Sequence, residues 1–414
     1  MAASTTRGLG FFGQYIFNLL LFDKNHATDI SNTVVVHVWD EFRVLRILWL
    51  NWRDIKNPDS GGAEVLTHEI ATRLVKNGGY DISLFSAWFP GSLHSEINDG
   101  IKVVRDGGIY TVYERARKFY KKNKDSYDIV VDEINGKPFL TPKFVKLERP
   151  IIALIHSIIS EQFLYELSFP ANYLCYLYFE KKWLSYYRNT TTVTVSESSK
   201  RELEKLGFKR ISIIPEGLSI NPLPNVPRKE GIPTVLYIGR LKKHKLPHHA
   251  ILAFLEIKKE LPDARLWVIG DGYMRKELQE KYDGSDITFY GRVNNEKKSE
   301  LLSKAHITLV PATREGWGLV VTESNAVGTP VVAYNVPGLR DSVKDGETGV
   351  LAKENTPESL ASSAIYLLKD RSLLDQFSLD ALSFSRQFSW DRTAEVFDNI
   401  IKETIASEIR TLSS

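Results

Sequence analysis

The chain has 414 residues, 43% of them hydrophobic and 25% charged, which suits two or three soluble globular domains and excludes disordered and fibrous classes. A formal net charge of +3 gives no global field that would argue for nucleic acid as a partner. The single cysteine, Cys175, excludes disulfides and thiolate metal clusters and fits a reducing, cytoplasmic setting.

Residues 1–45 show no regular alternation of elements and read as an N-terminal extension of uncertain structure: an arm, a lipid-facing helix, or sequence upstream of the real start. Their apolar run, residues 8–22, is too short to span a bilayer and contains Gln14 and Asn18. From Arg46 onward, β-branched runs (RILWL, DISLF, IKVV, DIVV, IIALIH, TTVTV, ISII) alternate with helical patterns at 63–77, 112–123 and 198–206. That rhythm predicts a parallel sheet with crossover helices. A proline-rich stretch, 215–233, interrupts it before TVLYIG, RLWVIG, ITFYG, ITLVP and PVVAY restart it. The expectation is an α/β protein of two doubly wound, Rossmann-like domains, 46–225 and 226–389, facing each other across a cleft. Helical patterns at 357–388 and 390–411 follow, and the last helix, about 390–414, is expected to pack back on the first domain.

In the second domain four strands end in glycine or proline before polar residues: Gly239 ahead of Arg240 to Lys245, Gly270-Asp271-Gly272, Gly291-Arg292-Val293, and Pro311 ahead of Glu315. Doubly wound sheets put such ends along one edge, where glycines let a flat or charged ligand approach the backbone. Arg240 and Lys245 are candidate clamps for a diphosphate, with a solvated loop as the alternative. The segment Glu315-Gly316-Trp317-Gly318-Leu319-Val320 runs into a helix expected to start near Leu319, whose first amides favour an anion. Two carboxylates beside a phosphate are unfavourable unless each takes hydroxyls, which suggests a sugar at Glu315 and a ribose diol at Glu323. A loop-lining glutamate and an ordinary helix-start charge are the alternatives.

In the first domain Gly61-Gly62 lies between a strand and a helix and could meet a phosphate or acceptor from the opposite wall, or serve turn geometry alone. His156 ends an apolar strand, where an imidazole could touch substrate or be satisfied by backbone. Ser196 and Ser199 read as helix capping. The run of Arg115, Arg117, Lys118, Lys121, Lys122 and Lys124 could dock on an anionic membrane or form a solvated helix face. The aromatic stretch 163–187 reads as core, with an acceptor-lipid groove as the alternative.

From Arg46 to the C-terminus the chain resembles the family 4 retaining glycosyltransferases of the GT-B fold. The resemblance is carried by residues 315–348 with their E-x7-E element, and by Gly61-Gly62, the His156 strand end, VSESSKREL at 195–203, IPEG at 214–217, IGRLKKHK at 238–245 and IGDG at 269–272. It implies a nucleotide-diphosphate sugar donor, transfer to a hydroxyl acceptor such as a glycan or lipid-linked glycan, and retention at the anomeric centre. It also implies a metal-independent reaction, and no Asp-x-Asp motif is present. By this resemblance Arg240 and Lys245 clamp the diphosphate, Glu323 holds the ribose, and Glu315 with the amides of Gly316 to Val320 meets the sugar and phosphate. The backbone of residues 291–293 meets the base and His156 approaches the sugar. Two departures stand out: Ser157 follows His156 where many relatives have aspartate, and Glu216 stands where many have asparagine. Rival readings are a GT-B epimerase or phosphorylase, or a sugar-nucleotide-binding protein without turnover.

Overall fold

The computed structural model describes residues 44–145, 149–282 and 284–413. Residues 1–43, nearly all of the expected extension, lie outside them. The described fold is the compact unit Arg46–Ser414. Its first half gives β1 (Leu45–Leu50), α1 (Gly62–Lys76), β2 (Tyr80–Ser86), β3 (Ser95–Asn98), β4 (Ile101–Arg105), α2 (Val112–Asn123) and β5 (Ile129–Ile134). There follow β6 (Ile151–Ile155), α3 (Ser160–Glu166), α4 (Ala171–Leu174), α5 (Glu180–Ser185), β7 (Thr191–Thr194), α6 (Glu197–Lys205) and β8 (Ile211–Ile213). The second half gives β9 (Thr234–Ile238), α7 (Pro247–Glu260), β10 (Arg265–Ile269), α8 (Arg275–Tyr282), β11 (Ile287–Gly291), α9 (Asn295–Lys304) and β12 (Ile307–Val310). It closes with α10 (Leu319–Ala326), β13 (Val331–Tyr334), α11 (Leu339–Ser342), β14 (Gly349–Ala352), α12 (Pro357–Lys369), α13 (Arg371–Ser385) and α14 (Trp390–Ser413).

Two sheets form, in the orders β3-β4-β2-β1-β5-β6-β7-β8 and β11-β10-β9-β12-β13-β14. The central strands β1 and β9 carry buried apolar side chains on both faces because helices cover both sides, the signature of parallel sheets. Ile47, Leu48, Trp49 and Leu50 are all fully buried. Pairing is parallel across the second sheet and, in the first, from β1 through β5, β6 and β7 to β8 and between β2 and β4, whereas β3 and β4 form an antiparallel hairpin over Asp99 and Gly100, both at positive φ. An Asp-Gly pair at positive φ gives the turn whose twist matches two antiparallel strands.

The chain leaves the second sheet after α13 and returns to the first. There Phe397 of α14 stacks on Trp49 at 5.2 Å between ring centroids, and Asp391 accepts a 2.6 Å bond from Arg73 of α1. Beside β1, the buried Arg105 guanidinium holds both oxygens of Asp54 at 2.6 and 2.9 Å and Glu96 at 2.7 Å. A buried pair of this kind fixes the loop after β1, because breaking it would leave a charge uncompensated.

The aromatic stretch departs from its reading as core. Phe169 is 80% exposed, and Tyr165, Tyr173, Leu174, Leu177 and Tyr178 are also exposed. Tyr187 and Leu184 alone of the stretch's large apolar side chains enter the buried core among the described residues. Aromatic content does not say which way a segment turns its faces; here the stretch from Tyr165 to Phe179 turns most of its large apolar side chains to solvent.

Candidate active site

In a doubly wound sheet the ligand crevice opens where neighbouring strands carry crossovers to opposite sides. That point falls between β1 and β5 in the first sheet and between β9 and β12 in the second. The carboxyl ends of both pairs border one cavity of about 810 Å³, within the size range of small-molecule sites.

Its second-sheet wall contains Gly239, Arg240, Lys245, Glu315, Gly316, Trp317, Gly318, Leu319, Val320 and Glu323. The loop after β9 is tied down from beneath by the buried Tyr237 hydroxyl, which donates to the carbonyls of Arg240 (3.4 Å) and Lys245 (3.3 Å). Lys245 bonds the Glu315 carboxylate. Arg240 has no ion-pair partner among the described residues, so its guanidinium is available to an anion. The helix α10 starts at Leu319 from Gly318, held in the left-handed region at φ 95°. Glu323 sits one turn in, 6% exposed, and accepts a 2.6 Å bond from Lys298.

The first-sheet wall is a chain of paired charges. Arg53, after β1, contacts Glu64 of α1 at 3.0 Å. The other Glu64 oxygen takes the Gly61 amide at 2.6 Å, so this amide already has an anionic partner. His156 lies past the end of β6, and its Nε2 lies 3.0 Å from Glu133 at the end of β5. Glu133 also accepts from the Trp49 indole at 2.8 Å and from Thr67. Burial works against a charged His156, but the bond to Glu133 and the charges of Glu133, Glu216 and Glu64 outweigh it and raise its pKa. Glu216, three residues past β8 and 4% exposed, lines the cavity with buried Oε2 lacking a hydrogen-bond partner. Burial first, with the Glu133 charge adding and His156 offsetting, pushes its carboxyl up to about 7.

The two walls come close. A Cβ on Gly316 would lie 2.9 Å from the His156 carbonyl, and one on Gly62 would lie 3.1 Å from the Leu319 side chain. Bonds also cross between the halves near solvent. Glu166 of α3 accepts from Tyr273 at 3.1 Å and from the His244 imidazole at 2.6 Å. Burial and the neighbouring Lys245 charge hold His244 down to about 4, so at neutral pH it donates as a neutral ring. Arg292 donates to the Pro58 carbonyl at 2.9 Å.

Gly270, Asp271, Gly272, Arg292 and Val293, expected beside the donor, lie off the cavity wall. Gly270 and Gly272 instead let the loops after β9 and β10 touch: an added Cβ would lie 1.9 Å from the Gly239 carbonyl at Gly270 and 2.4 Å from the Leu241 carbonyl at Gly272. Val293 packs in the apolar cluster with Trp267 and Tyr290. Ser196 caps α6 by accepting from the Ser199 amide, while the Ser199 hydroxyl donates to the His156 carbonyl at 3.0 Å. Arg53, Glu64, Glu133, Lys298 and Trp390 were not singled out from the sequence. An acid pair ending an apolar strand, DIVVDEI, is the signal that could have found Glu133.

Two doubly wound modules sharing one crevice define a GT-B fold, and solved structures agree. A sucrose-phosphate synthase from Thermosynechococcus elongatus superposes with a TM-score of 0.72 at 19% identity, covering 88% of this chain and 100% of that one. Anabaena HepE in complex with UDP and glucose superposes with a TM-score of 0.64 at 17% identity, covering 87% and 100%. The pattern of Glycosyltransferase Family 4 matches residues 60–221 and that of Glycosyl transferases group 1 matches residues 223–382. The chain therefore belongs to the family 4, group 1, glycosyltransferases. It is similar to a D-inositol 3-phosphate glycosyltransferase of Thermobispora bispora (29% identity, 53% of this chain, 56% of that one). It is also similar to a phosphatidyl-myo-inositol mannosyltransferase of Mycobacterium leprae (27% identity, 52% of this chain, 59% of that one). The chain thus spans somewhat over half the length of these curated relatives. An uncharacterized glycosyltransferase of Methanocaldococcus jannaschii, MJ1069, is 25% identical over 84% of this chain and 96% of its own length.

Proposed function

We propose that this protein moves a hexose from a nucleotide-diphosphate sugar to a hydroxyl of a glycan or lipid-linked glycan, with retention and without a metal. The observation that carries the reading is the grouping of Arg240, Lys245 and the start of α10 on one wall, with the buried Glu323 one turn further in. Two cations and a helix start suit a diphosphate; a buried carboxylate beside them suits the ribose diol. In this reading Arg240 and Lys245 stabilise the charge that grows on the leaving diphosphate, and Glu315 and His156 contact the sugar. Retention follows if the acceptor attacks from the face the diphosphate leaves, its proton passing to a phosphate oxygen. Release of nucleoside diphosphate from a panel of sugar nucleotides, with and without acceptors and in EDTA, tests this, with the product anomer read by NMR. No release from any donor would favour a binding protein without turnover.

The acceptor side suits an anionic membrane surface. Arg115, Arg117, Lys118, Lys121 and Lys122 are exposed on α2, whose buried face carries Val112, Ala116 and Tyr120. Phe144 packs on Tyr120 and its neighbour Lys143 lies over the Tyr186 ring, so the basic helix adjoins the exposed aromatic segment. Basic residues and exposed aromatics together suit the headgroup region. No helix among the described residues is long and apolar enough to cross a membrane. Sedimentation with anionic vesicles tests the contact: Leu177→Asp and Lys121→Glu should each reduce the bound fraction, and no binding by the unaltered chain at low salt removes this role.

A further inference from the structure

Among the carboxylates lining the cavity, all but one have partners. Glu64 holds Arg53 and the Gly61 amide, Glu69 holds Arg73, Glu315 holds Lys245 and Glu323 holds Lys298. Glu133, just behind the wall, has Trp49, Thr67 and His156. Glu216 stands apart, for no cation or donor is paired with it among the described residues and its Oε2 is buried. Nor can its backbone easily turn it outward. The Ile214 amide is bonded to the Thr194 carbonyl at 2.9 Å, and Gly217 lies flat against the Trp390 indole, where an added Cβ would be 2.2 Å from the ring.

A buried carboxyl without a partner is costly in either protonation state, so its retention at a cavity wall points to a ligand. The ligand's chemistry follows from the neighbours. The charged groups along this wall are His156 at the end of β6, with Glu133 behind it, Glu64 at the start of α1 with Arg53 after β1, and the Glu69–Arg73 pair further along α1. Each cation there already has a carboxylate, so a further anion is disfavoured. Two other buried polar atoms without partners, the indole Nε1 of Trp317 and of Trp390, belong to residues lining the same cavity, and both are donors only. A hydroxyl is donor and acceptor at once and satisfies Glu216 whether it is ionised or protonated, while neighbouring ring and ether oxygens can take the indole N–H groups.

Resting on the transfer reading above, we propose that Glu216 is a specificity-determining residue that hydrogen-bonds a hydroxyl of a sugar held in the cleft. The sugar is that of the donor or of the acceptor, and the experiment separates the two. The full chain with Glu216→Ala should lose at least about tenfold in kcat/KM, the size expected when a buried group is left without its substrate hydroxyl. Glu216→Gln, which keeps the volume and both hydrogen-bonding senses, should stay within about threefold at acid pH and lack the inflection near pH 7 expected of the unaltered protein. UDP, GDP or ADP alone should bind all three proteins equally. If the donor supplies the hydroxyl, a deoxy or epimeric donor lacking it reproduces the alanine loss and adds nothing to it. If the acceptor does, the acceptor KM moves and the donor's does not.

Equal kcat/KM for all three proteins with donor and acceptor would overturn the assignment, leaving Glu216 to an ordered water. Failure of the unaltered chain to turn over any donor sinks the transfer reading instead. Equilibrium binding of the sugar nucleotide against its nucleoside diphosphate, and of the acceptor to the nucleoside diphosphate complex, then still decides Glu216: an alanine deficit confined to the sugar nucleotide marks a donor contact, one confined to the acceptor marks an acceptor contact, and no deficit in either overturns the assignment.

Discussion

Lys245 and Glu315, seventy residues apart in sequence, meet as an ion pair on the second-sheet wall. Their side chains are partly exposed, so the pair contributes little to folding, about 0–1 kcal/mol. Its importance is for binding: a diphosphate that reaches Lys245 competes with the protein's own carboxylate. Lys245→Ala should therefore weaken nucleoside diphosphate binding and lower transfer by about 10²-fold or more, with unchanged unfolding in urea. Glu315→Gln should bind nucleoside diphosphate as tightly or more tightly, since Lys245 loses its internal competitor, and yet lose transfer. Full activity in both variants would remove these residues from the site.

Glu323 gives a separate test, because its proposed partner is the ribose. Glu323→Gln should weaken nucleoside diphosphates by about tenfold while leaving inorganic diphosphate unaffected, as only the former carries the diol. A 2′,3′-dideoxy nucleotide should bind the variant and the unaltered protein alike. Calorimetric titration of the three ligands settles the matter, and equal losses for nucleotide and inorganic diphosphate would count against a ribose contact.

The Glu216 carboxyl titrates near 7 in the folded chain, raised above its ordinary range. A raised pKa means that the folded state binds the proton more tightly than the unfolded one. The associated stability is full below the ordinary carboxylate range and is lost as pH rises toward about 7. His156, also raised, has stability that is full below the ordinary imidazole range and lost above it, so the two slopes share a sign. Without substrate, unfolding free energy should fall as pH rises through this window, and Glu216→Gln should remove on the order of 3 kcal/mol of that fall. A variant whose urea profile parallels the unaltered protein's would show that the carboxyl is solvated.

Gly217→Ala places a methyl group 2.2 Å from the Trp390 indole. Either the ring or the segment after β8 must shift, and we expect a loss of about 2–4 kcal/mol. Gly231→Ala, where an added Cβ meets nothing within 4 Å, serves as the control and should be near neutral. Equal urea midpoints for the two variants would mean that the ring yields freely.

The central strands were legible because β-branched runs such as TVLYI leave few alternatives for a buried parallel strand. The turn after Gly239 and E-x7-E likewise placed much of the second-sheet wall, whereas the turns at Gly270 and Gly291 fall outside it. The hairpin of β3 and β4 was missed although Asn98-Asp99-Gly100 carries the turn signal, because SEIN is too polar to read as a strand. Four-residue β14 was missed between turn residues for lack of periodicity. Glu133 could not be recognised locally, since its partners Trp49 and Thr67 lie 84 and 66 residues away. The Lys245–Glu315 pair was hidden for a different reason: both residue types suit a ligand as well as they suit each other.

The contact between Gly217 and Trp390 also has a mechanical meaning. The chain passes between the sheets twice, after β8 and before α14, and these two passages touch at that contact. Two straps laid side by side would confine any swing of one sheet against the other to one line and would resist twist. Displacement is least at the pivot and grows with distance from it. Glu216, next to the strip, would keep its neighbours through the whole swing, whereas Glu166 with Tyr273 and Arg292 with Pro58 would break and re-form in each cycle.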